Sequence, residues 1–315
     1  MELVRFVLRG YYKQNADTMI GKTRQDSSAR SVAPRNSTVK ASAAIEEVFD
    51  PGAGKPRGVL RWPPPAGKFR YSRRLPPAEL AHCIEHYWSV SWDLRGLEPH
   101  VQETLPHPNI QVVFEKDNSK VGGVATGKFS RMLAGQSHVF GVKFKPGGFR
   151  PFMKSSVSAL ADRTVPVRRI FGKDVDGLEA LLVSSREEEE RIGATNAFFL
   201  ARVPEPDDSI ALAGQLVGRI LQEPEIKTVD DLVSRTGIGK RSLQRIFNEY
   251  VGINPKWVIR RYRLHELVER LQSGERFEWS QLALDLGYFD QPHLINDFRS
   301  IVGYSPAQYQ MLAAE

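Results

Sequence analysis

The feature that most constrains this chain is a repeat near its C-terminus. Six leucine, phenylalanine, glycine and proline positions recur in the same order, with an offset of 50 or 51 residues. The first copy contains Leu232, Gly237, Leu243, Phe247, Gly252 and Pro255, and the second contains Leu282, Gly287, Leu294, Phe298, Gly303 and Pro306. Each copy has the order of a helix, a glycine turn, a second helix and a glycine–proline exit. The repeat therefore predicts two helix-turn-helix units in tandem.

Length and composition allow more than one domain. The chain has 315 residues, of which 41% are hydrophobic and 26% are charged, as in an ordinary globular protein. Cys83 is the single cysteine, so no intramolecular disulfide can form, and a cytoplasmic location is expected. No apolar run is long enough to predict a membrane span, and the short apolar stretch at residues 1–10 lacks a signal cleavage site.

The net charge of +7 is not evenly distributed. Residues 1–80 carry a net charge of +8, residues 81–209 carry −1, and residues 210–315 carry none. The basic excess thus lies outside the repeat. The overall isoelectric point is therefore poor support for nucleic-acid binding, which must be argued from the placement of particular residues.

Composition and periodicity divide the chain into four parts. Residues 1–58 predict a disordered basic arm, because they are rich in Ser, Ala, Lys, Arg, Gly and Pro without a sustained period. Residues 68–172 predict a mixed or barrel-like sensor domain, with Phe149–Leu160 helical. Residues 173–209 predict a helical connector and linker, and residues 210–315 predict an all-α domain. The predicted fold class is α+β.

Two strands of the front domain are predicted by side chains that alternate with period 2. These side chains are Trp88, Val90, Trp92, Phe140, Val142 and Phe144. The four aromatic ones, Trp88, Trp92, Phe140 and Phe144, could line an apolar effector pocket. Simple core packing is the more common role for aromatic side chains in alternating strands.

The first helix-turn-helix unit predicts a polar face on its second helix. Thr228 is the expected N-cap of the first helix, and Leu243 and Phe247 form the apolar stripe of the second. Opposite that stripe lie Arg241, Gln244, Arg245 and Asn248, and Lys240 stands at the helix start. Arginine and amide side chains form paired hydrogen bonds with guanine and adenine, and Lys240 is better placed for phosphate. A merely solvated helix face is the alternative, but Lys and Glu would then be expected.

The second unit repeats this geometry with different chemistry. Asp290 is the expected N-cap, and the predicted buried stripe consists of Leu294, Phe298 and Ile301. The outward positions are Gln291, Pro292, Ile295, Asn296 and Arg299. This face has fewer hydrogen-bond donors, so it could mainly contact the DNA backbone. Between the units, a helix from Asn254 to about Gln272 is predicted to fix their spacing near one DNA turn, roughly 34 Å.

These motifs resemble the DNA-binding domain of the AraC/XylS family of bacterial transcription regulators. The matching stretches are Gly-Lys-Arg-Ser-Leu-Gln-Arg-Ile-Phe at 239–247, Val-Gly-Ile-Asn-Pro at 251–255, Leu-Gly-Tyr-Phe-Asp-Gln-Pro-His-Leu-Ile-Asn-Asp-Phe-Arg at 286–299 and Val-Gly-Tyr-Ser-Pro-Ala-Gln-Tyr at 302–309. The resemblance implies base contacts by Arg241, Gln244 and Arg245, and by Gln291, Pro292, Ile295 and Asn296. It also implies double-stranded DNA and RNA polymerase as partners, with no cofactor or metal.

The front domain resembles that of a less-studied group of these regulators. The resemblance rests on residues 76–80, 86–90, 141–149 and 162–167. It implies effector sensing or homodimerisation but names no ligand. The resulting hypothesis is a sequence-specific, DNA-binding transcription regulator controlled through its front domain. The alternative is a small-molecule sensor whose helical domain has weak or no DNA affinity.

Catalytic function receives little support from the sequence. His82 and His86 have the spacing of metal ligands on one helix, with Cys83 between them, but no second pair of ligands is near. Cys83 lacks the cysteine cluster of zinc-dependent repair regulators. No phosphate loop, dinucleotide motif or Gly-x-Ser-x-Gly motif occurs. We therefore expect no enzymatic activity.

Overall fold

In the described part of the computed structural model, a front domain with nine strands precedes a helical domain. The structure describes residues 43–54, 58–60, 64, 66–205 and 207–314. The strands are β1 (Ala44–Phe49), β2 (Lys68–Arg74), β3 (Ile84–Leu94), β4 (His100–Thr104), β5 (Gln111–Phe114), β6 (Lys120–Gly122), β7 (Phe129–Leu133), β8 (Gly135–Phe144) and β9 (Thr164–Pro166). Together with the helices that follow, they confirm the α+β class.

Seven strands form one sheet in the order β1-β2-β3-β8-β5-β6-β9, and β4 pairs with β7 in a second, two-stranded sheet. Only the pairing of β1 with β2 is parallel among these strands. The long strands β3 and β8 lie at the centre. In β8 the first three residues are exposed, whereas Val139–Phe144 are all buried.

The aromatic side chains of β3 and β8 divide between the two faces of the sheet. Trp88 lies opposite Gly141, and Phe140 lies opposite Ser89. Because paired residues point to the same face and neighbours to opposite faces, the two sets separate. Trp88 and Trp92 belong to the cluster around Phe69, whereas Phe140 and Phe144 belong to the larger core. The prediction that all four line one effector pocket is therefore wrong.

Ten α-helices follow the strands in the described part of the chain. They are α1 (Val167–Phe171), α2 (Asp176–Ser184), α3 (Glu188–Leu200), α4 (Asp208–Gln222), α5 (Val229–Thr236), α6 (Lys240–Ile246), α7 (Pro255–Gln272), α8 (Trp279–Asp285), α9 (Gln291–Val302) and α10 (Pro306–Ala314). A π-helical turn, Phe247–Val251, extends α6. None of the described helices is both long and apolar enough to cross a membrane.

Two predictions of local structure need correction. The predicted helix Phe149–Leu160 is instead a pair of 3-10 turns, because Met153 has an extended backbone between them. This break lets Phe149 and Phe152 both pack against Phe144, with ring centroids 4.9 and 5.7 Å away.

Of the predicted disordered arm, residues 1–58, the first 42 residues lie outside the described part of the chain. Beyond that, the prediction is wrong at Ala44–Phe49, which pairs along its whole length with β2. The signal was weak because only Ile45, Val48 and Phe49 are large and apolar in this short edge strand.

The front domain packs directly on the helical domain. Arg261 of α7 is 1% exposed, and its Nη2 donates to the carbonyl oxygens of Thr126 and Gly127 at 2.9 and 3.3 Å. Arg150 forms an ion pair of 2.6 Å with Glu249, in the turn that follows α6. The front domain thus contacts both the long helix and the end of the first unit.

Glycine at position 123 permits a close backbone approach that no other residue can make. A Cβ atom there would lie 1.8 Å from the carbonyl oxygen of Leu160. We predict that Gly123→Ala lowers the free energy of unfolding by about 1–3 kcal/mol, because backbone must move to relieve the clash. Gly127→Ala is the matched control, since a Cβ at Gly127 meets no atom within 4 Å. Chemical denaturation of both variants checks this, and equal stability would contradict it.

Candidate nucleic-acid interface

Hydrogen bonds at both ends position the first helix of the first unit. The Oγ1 of Thr228 accepts from the backbone N–H of Asp231 at 3.0 Å, and the Asp231 carboxylate accepts from the Thr228 N–H at 2.7 Å. Burial raises the pKa of the Asp231 carboxyl, but hydrogen bonds from Thr228 and Lys227 outweigh this, so the pKa lies below its ordinary value. Gly237 ends the helix at φ +70°, a left-handed conformation that favours glycine. The predicted cap and stop are confirmed.

The second helix, α6, has one buried side and one exposed side. Leu243 and Phe247 are fully buried in the core of the unit, together with Val251 of the π-helical turn. The predicted contact residues Arg241, Gln244, Arg245 and Asn248 are all exposed. Within the described part of the chain, none of these four side chains forms a hydrogen bond or ion pair. Their donors and acceptors are therefore available to an external partner.

Lys240, at the start of α6, differs from the other predicted contact residues. Its Nζ lies 2.6 Å from the Asp230 carboxylate of α5, and both side chains are exposed. An exposed ion pair of this kind contributes little to stability and breaks readily. Lys240 can therefore exchange Asp230 for a phosphate oxygen.

The second unit is built by the same local signals. The Asp290 carboxylate accepts from the His293 N–H at 2.8 Å, and Pro292 lies in the first turn of α9. Gly287 provides the turn before it, at φ +72°. The Asp290 N-cap and the glycine turn were both predicted, and the structure confirms them.

The exposed side of α9 is smaller than that of α6. Pro292, Asn296 and Arg299 are exposed, whereas Gln291 and Ile295 are half-buried. None of these five side chains has a hydrogen-bond or ion-pair partner among the described residues. The buried stripe consists of Leu294, Phe298 and Val302. Ile301, predicted for that stripe, is only half-buried, and Val302 is the buried residue at this end of the helix.

Two residues, one in α9 and one just before it, were not predicted from the sequence. Asp297 is 5% exposed, accepts a 2.7 Å hydrogen bond from the Tyr288 hydroxyl and pairs with Arg260 of α7. That pairing raises the pKa of the Arg260 guanidinium. Phe289 precedes the N-cap and is 86% exposed, an apolar ring at the outer edge of the unit. An aromatic residue between a turn glycine and an N-cap was the available signal for Phe289, whereas nothing local marks Asp297 as buried.

The metal hypothesis for His82 and His86 required a helix, and the structure has none there. His86 lies in β3, and His82 lies in the preceding turn. The Nδ1 of His86 is 3.4 Å from the Glu85 carboxylate. Cys83 is fully buried, and burial raises the pKa of its thiol to about 11, which leaves it a poor nucleophile. The described residues contain no group of three or more potential metal ligands.

Two sequence families match parts of the chain. Residues 232–311 match a family described as a helix-turn-helix domain. Residues 72–166 match a domain of unknown function, DUF6597, within the range predicted for the front domain. Residues 232–311 therefore carry a helix-turn-helix domain.

Individual relatives are similar over shorter stretches. An uncharacterized HTH-type transcriptional regulator, YbfI of Bacillus subtilis (strain 168), is 33% identical over 98 residues, which is 30% of this chain and 34% of YbfI. The HTH-type transcriptional activator AarP of Providencia stuartii is 30% identical over 84 residues, which is 27% of this chain and 62% of AarP. The chain thus spans less than two thirds of either relative.

Solved structures also resemble the chain. ToxT from Vibrio cholerae is 10% identical, with a TM-score of 0.34, over 68% of this chain and 98% of ToxT. An AraC-type regulator from Chromobacterium violaceum is 22% identical, with a TM-score of 0.29, over 33% of this chain and 97% of that one.

The buried carboxylate of Asp297 ties α9 to α7, so its removal should loosen the second unit. We predict that Asp297→Ala lowers the free energy of unfolding by about 1–3 kcal/mol, because Arg260 and Tyr288 both lose a charge-assisted partner. Asp285→Ala is the control: its carboxylate is exposed and, among the described residues, accepts only from the Gln281 side chain, at 2.9 Å. Denaturation midpoints of the two variants check this. Two equal midpoints would mean that the buried contacts add nothing.

Proposed function

We propose that this protein is a sequence-specific DNA-binding transcription regulator that inserts α6 and α9 into two adjacent segments of major groove. The observation that carries the proposal is the form of α6. A short helix with a fully buried stripe presents Arg241, Gln244, Arg245 and Asn248 outward, each without a partner among the described residues. Unpaired arginine and amide groups on an exposed helix match the donor and acceptor pattern of base edges.

The roles of individual residues follow from their positions. Arg241, Gln244 and Arg245 face the base edges from α6, and Lys240 is placed for the DNA backbone. On α9, Gln291 and Asn296 supply amide groups, Pro292 and Ile295 supply apolar contact, and Arg299 lies late in the helix, where phosphate is nearer than bases. The exposed Phe289 adds an apolar group beside Gln291.

The length of the helix that connects the two units supports binding to one side of the duplex. The connecting helix α7 has 18 residues and is therefore about 27 Å long. Successive major-groove segments on one side of B-DNA are about 34 Å apart. A connecting helix of this length, with its two flanking turns, suits binding in successive segments.

The front domain is the proposed regulatory part. It contacts α7 through Arg261 and the first unit through Arg150, so a ligand or partner bound there can act on both. RNA polymerase as a partner, homodimerisation and cytoplasmic location stay predictions.

The alternative function, a sensor with weak or lost DNA affinity, is favoured by one observation. Residues 210–315 carry no net charge. Measuring DNA binding against salt concentration separates the two functions, because a DNA-binding protein loses affinity steeply as salt increases.

The first test concerns base recognition by α6. We predict that Arg245→Ala weakens binding to the operator by about 1–3 kcal/mol and relaxes discrimination at one guanine position. Arg299→Ala is the matched control, another exposed arginine without a partner among the described residues. It should weaken binding evenly across sequences and flatten the salt dependence. Titrations of the purified variants against operator libraries check this. An unchanged site preference in folded Arg245→Ala would refute the assigned role.

A second test concerns the division of work between the two helices. We expect the half-site under α6 to tolerate fewer base changes than the half-site under α9. The α6 face offers two arginines and two amides, and each paired contact contributes roughly 1–3 kcal/mol of discrimination. A complete single-base scan of the operator measures this. Equal intolerance in both half-sites would mean that α9 recognises DNA shape or bridging water instead.

A further inference from the structure

A cleft of about 740 Å³ lies between the front-domain sheet and the helices α2 and α3. Its floor is formed by side chains on one face of β2, β3 and β8, including Arg70, Ser91 and His138, which are neighbours across the strands. Segments at the end of α2 and the start of α3 close it, including Arg186 and Arg191. The volume is in the range of small-molecule sites in proteins.

The charges of the cleft are unbalanced. Its carboxylates belong to Glu46, Asp93 and Glu188, and its cationic groups belong to Lys68, Arg70, Arg186 and Arg191. Each of the three carboxylates already has an arginine within 3.6 Å. Two of those arginines, Arg74 and Arg95, come from outside the cleft lining. Positive charge is therefore in excess.

Arg191 is the buried cation of this cleft, and nearby carboxylates compensate its charge only in part. It is 8% exposed, and no ion pair joins it to a described residue. Its Nε is buried and has no hydrogen-bond partner among those residues. The Phe140 ring has its centroid 5.9 Å from the guanidinium carbon. A ring of this kind offsets only part of the cost of burying a full charge.

The carboxylate that lies one helical turn before Arg191 pairs with other arginines. Glu188 precedes Arg191 by three residues on α3, but its Oε2 lies 3.3 Å from Arg74 and 3.6 Å from Arg70, both on β2. Burial lowers the pKa of the Arg191 guanidinium from its ordinary value, since Glu188 compensates only in part. Arginine stays charged at neutral pH nonetheless. A buried charge that its neighbours compensate only in part is costly, and a bound anion would supply the missing acceptor.

We propose that this cleft binds a small oxyanion ligand, a carboxylate or a phosphate ester, with Arg191 as its principal contact. The planar guanidinium offers paired N–H donors that match both kinds of oxyanion. Ser91 lines the same cleft and supplies a hydroxyl group, and His138 lines it with its Nε2 3.2 Å from the carbonyl oxygen of Leu182. The site differs from the aromatic pocket predicted from the sequence. A role of this ligand in controlling DNA binding rests on the proposed function. Binding of the ligand to the cleft does not.

The test is calorimetry and thermal unfolding of the full chain without DNA, so that a failure of DNA binding cannot affect the result. The probes are inorganic phosphate and succinate, against sodium chloride at equal ionic strength. We expect at least one probe to bind saturably at one site per chain and to raise Tm by about 2 °C or more above chloride. The stronger probe assigns the ligand class. No binding above chloride by either probe would overturn the proposal.

Variants locate the site. Arg191→Met keeps the side-chain length without the charge and should weaken probe binding at least tenfold, with Arg191→Lys intermediate. Arg168→Met is the matched control, an exposed arginine outside the cleft lining that pairs with Asp176, and should bind as the unaltered protein does. Should Arg191→Met fail to fold, Ser91→Leu blocks the cleft from the sheet side and should also abolish binding. Full binding by folded Arg191→Met or by Ser91→Leu would refute the site.

Discussion

The arrangement of the helical domain depends on one helix that belongs to two cores. The first half of α7 places Val258 and Ile259 in the core of the first unit. Its second half places Leu264, Leu267 and Leu271 in the core of the second unit. Because apolar burial is close-packed, neither unit can rotate about α7 without opening a void. The relative position of α6 and α9 is therefore fixed by the buried side chains of α7, which do not face the exposed surfaces of α6 and α9.

The same helix carries the contact with the front domain. Arg261 lies between the residues of α7 that serve the two cores, and its guanidinium reaches the backbone of residues 126 and 127 over the ring of Trp257. At the C-terminal end of α7, Gln272 donates to the carbonyl of Val59, and the Tyr309 hydroxyl donates to that of Leu60. Leu60 is itself buried in the second core. The front domain thus contributes a buried side chain to the core of the second unit and also forms hydrogen bonds with it.

Local signals made the helical domain predictable, because caps and turn glycines act within a few residues. Thr228, Asp290 and Asn254 each accept the hydrogen bond that their position demanded. The front domain was less predictable, because strand register is set by distant pairing. The alternation around Trp88 and Phe140 was correct, yet the sequence could not tell that the two rings lie on opposite faces.

Among the residues of functional interest, some could be predicted from the sequence and others could not. The exposed face of α6 could be predicted, because helical periodicity fixes which side chains point away from Leu243. Arg191 and Asp297 could not, since both are charged residues in amphipathic helices whose burial depends on elements far away in the chain. Long-range packing alone decides whether such a side chain is solvated or enclosed.

Residues 210–315 carry no net charge, and this makes the contact between the helical domain and the front domain important. In a regulator of the proposed kind, a helical domain without net charge gains little affinity from nonspecific phosphate attraction. Binding then depends on both helices engaging together, since two linked contacts exceed either one only when geometry permits both. That geometry is set by α7, and α7 is held by Arg261 against the front domain. In such a regulator, a displacement of the front domain would act on α7 through Arg261 and on the end of the first unit through Arg150, without any contact to the exposed face of α6.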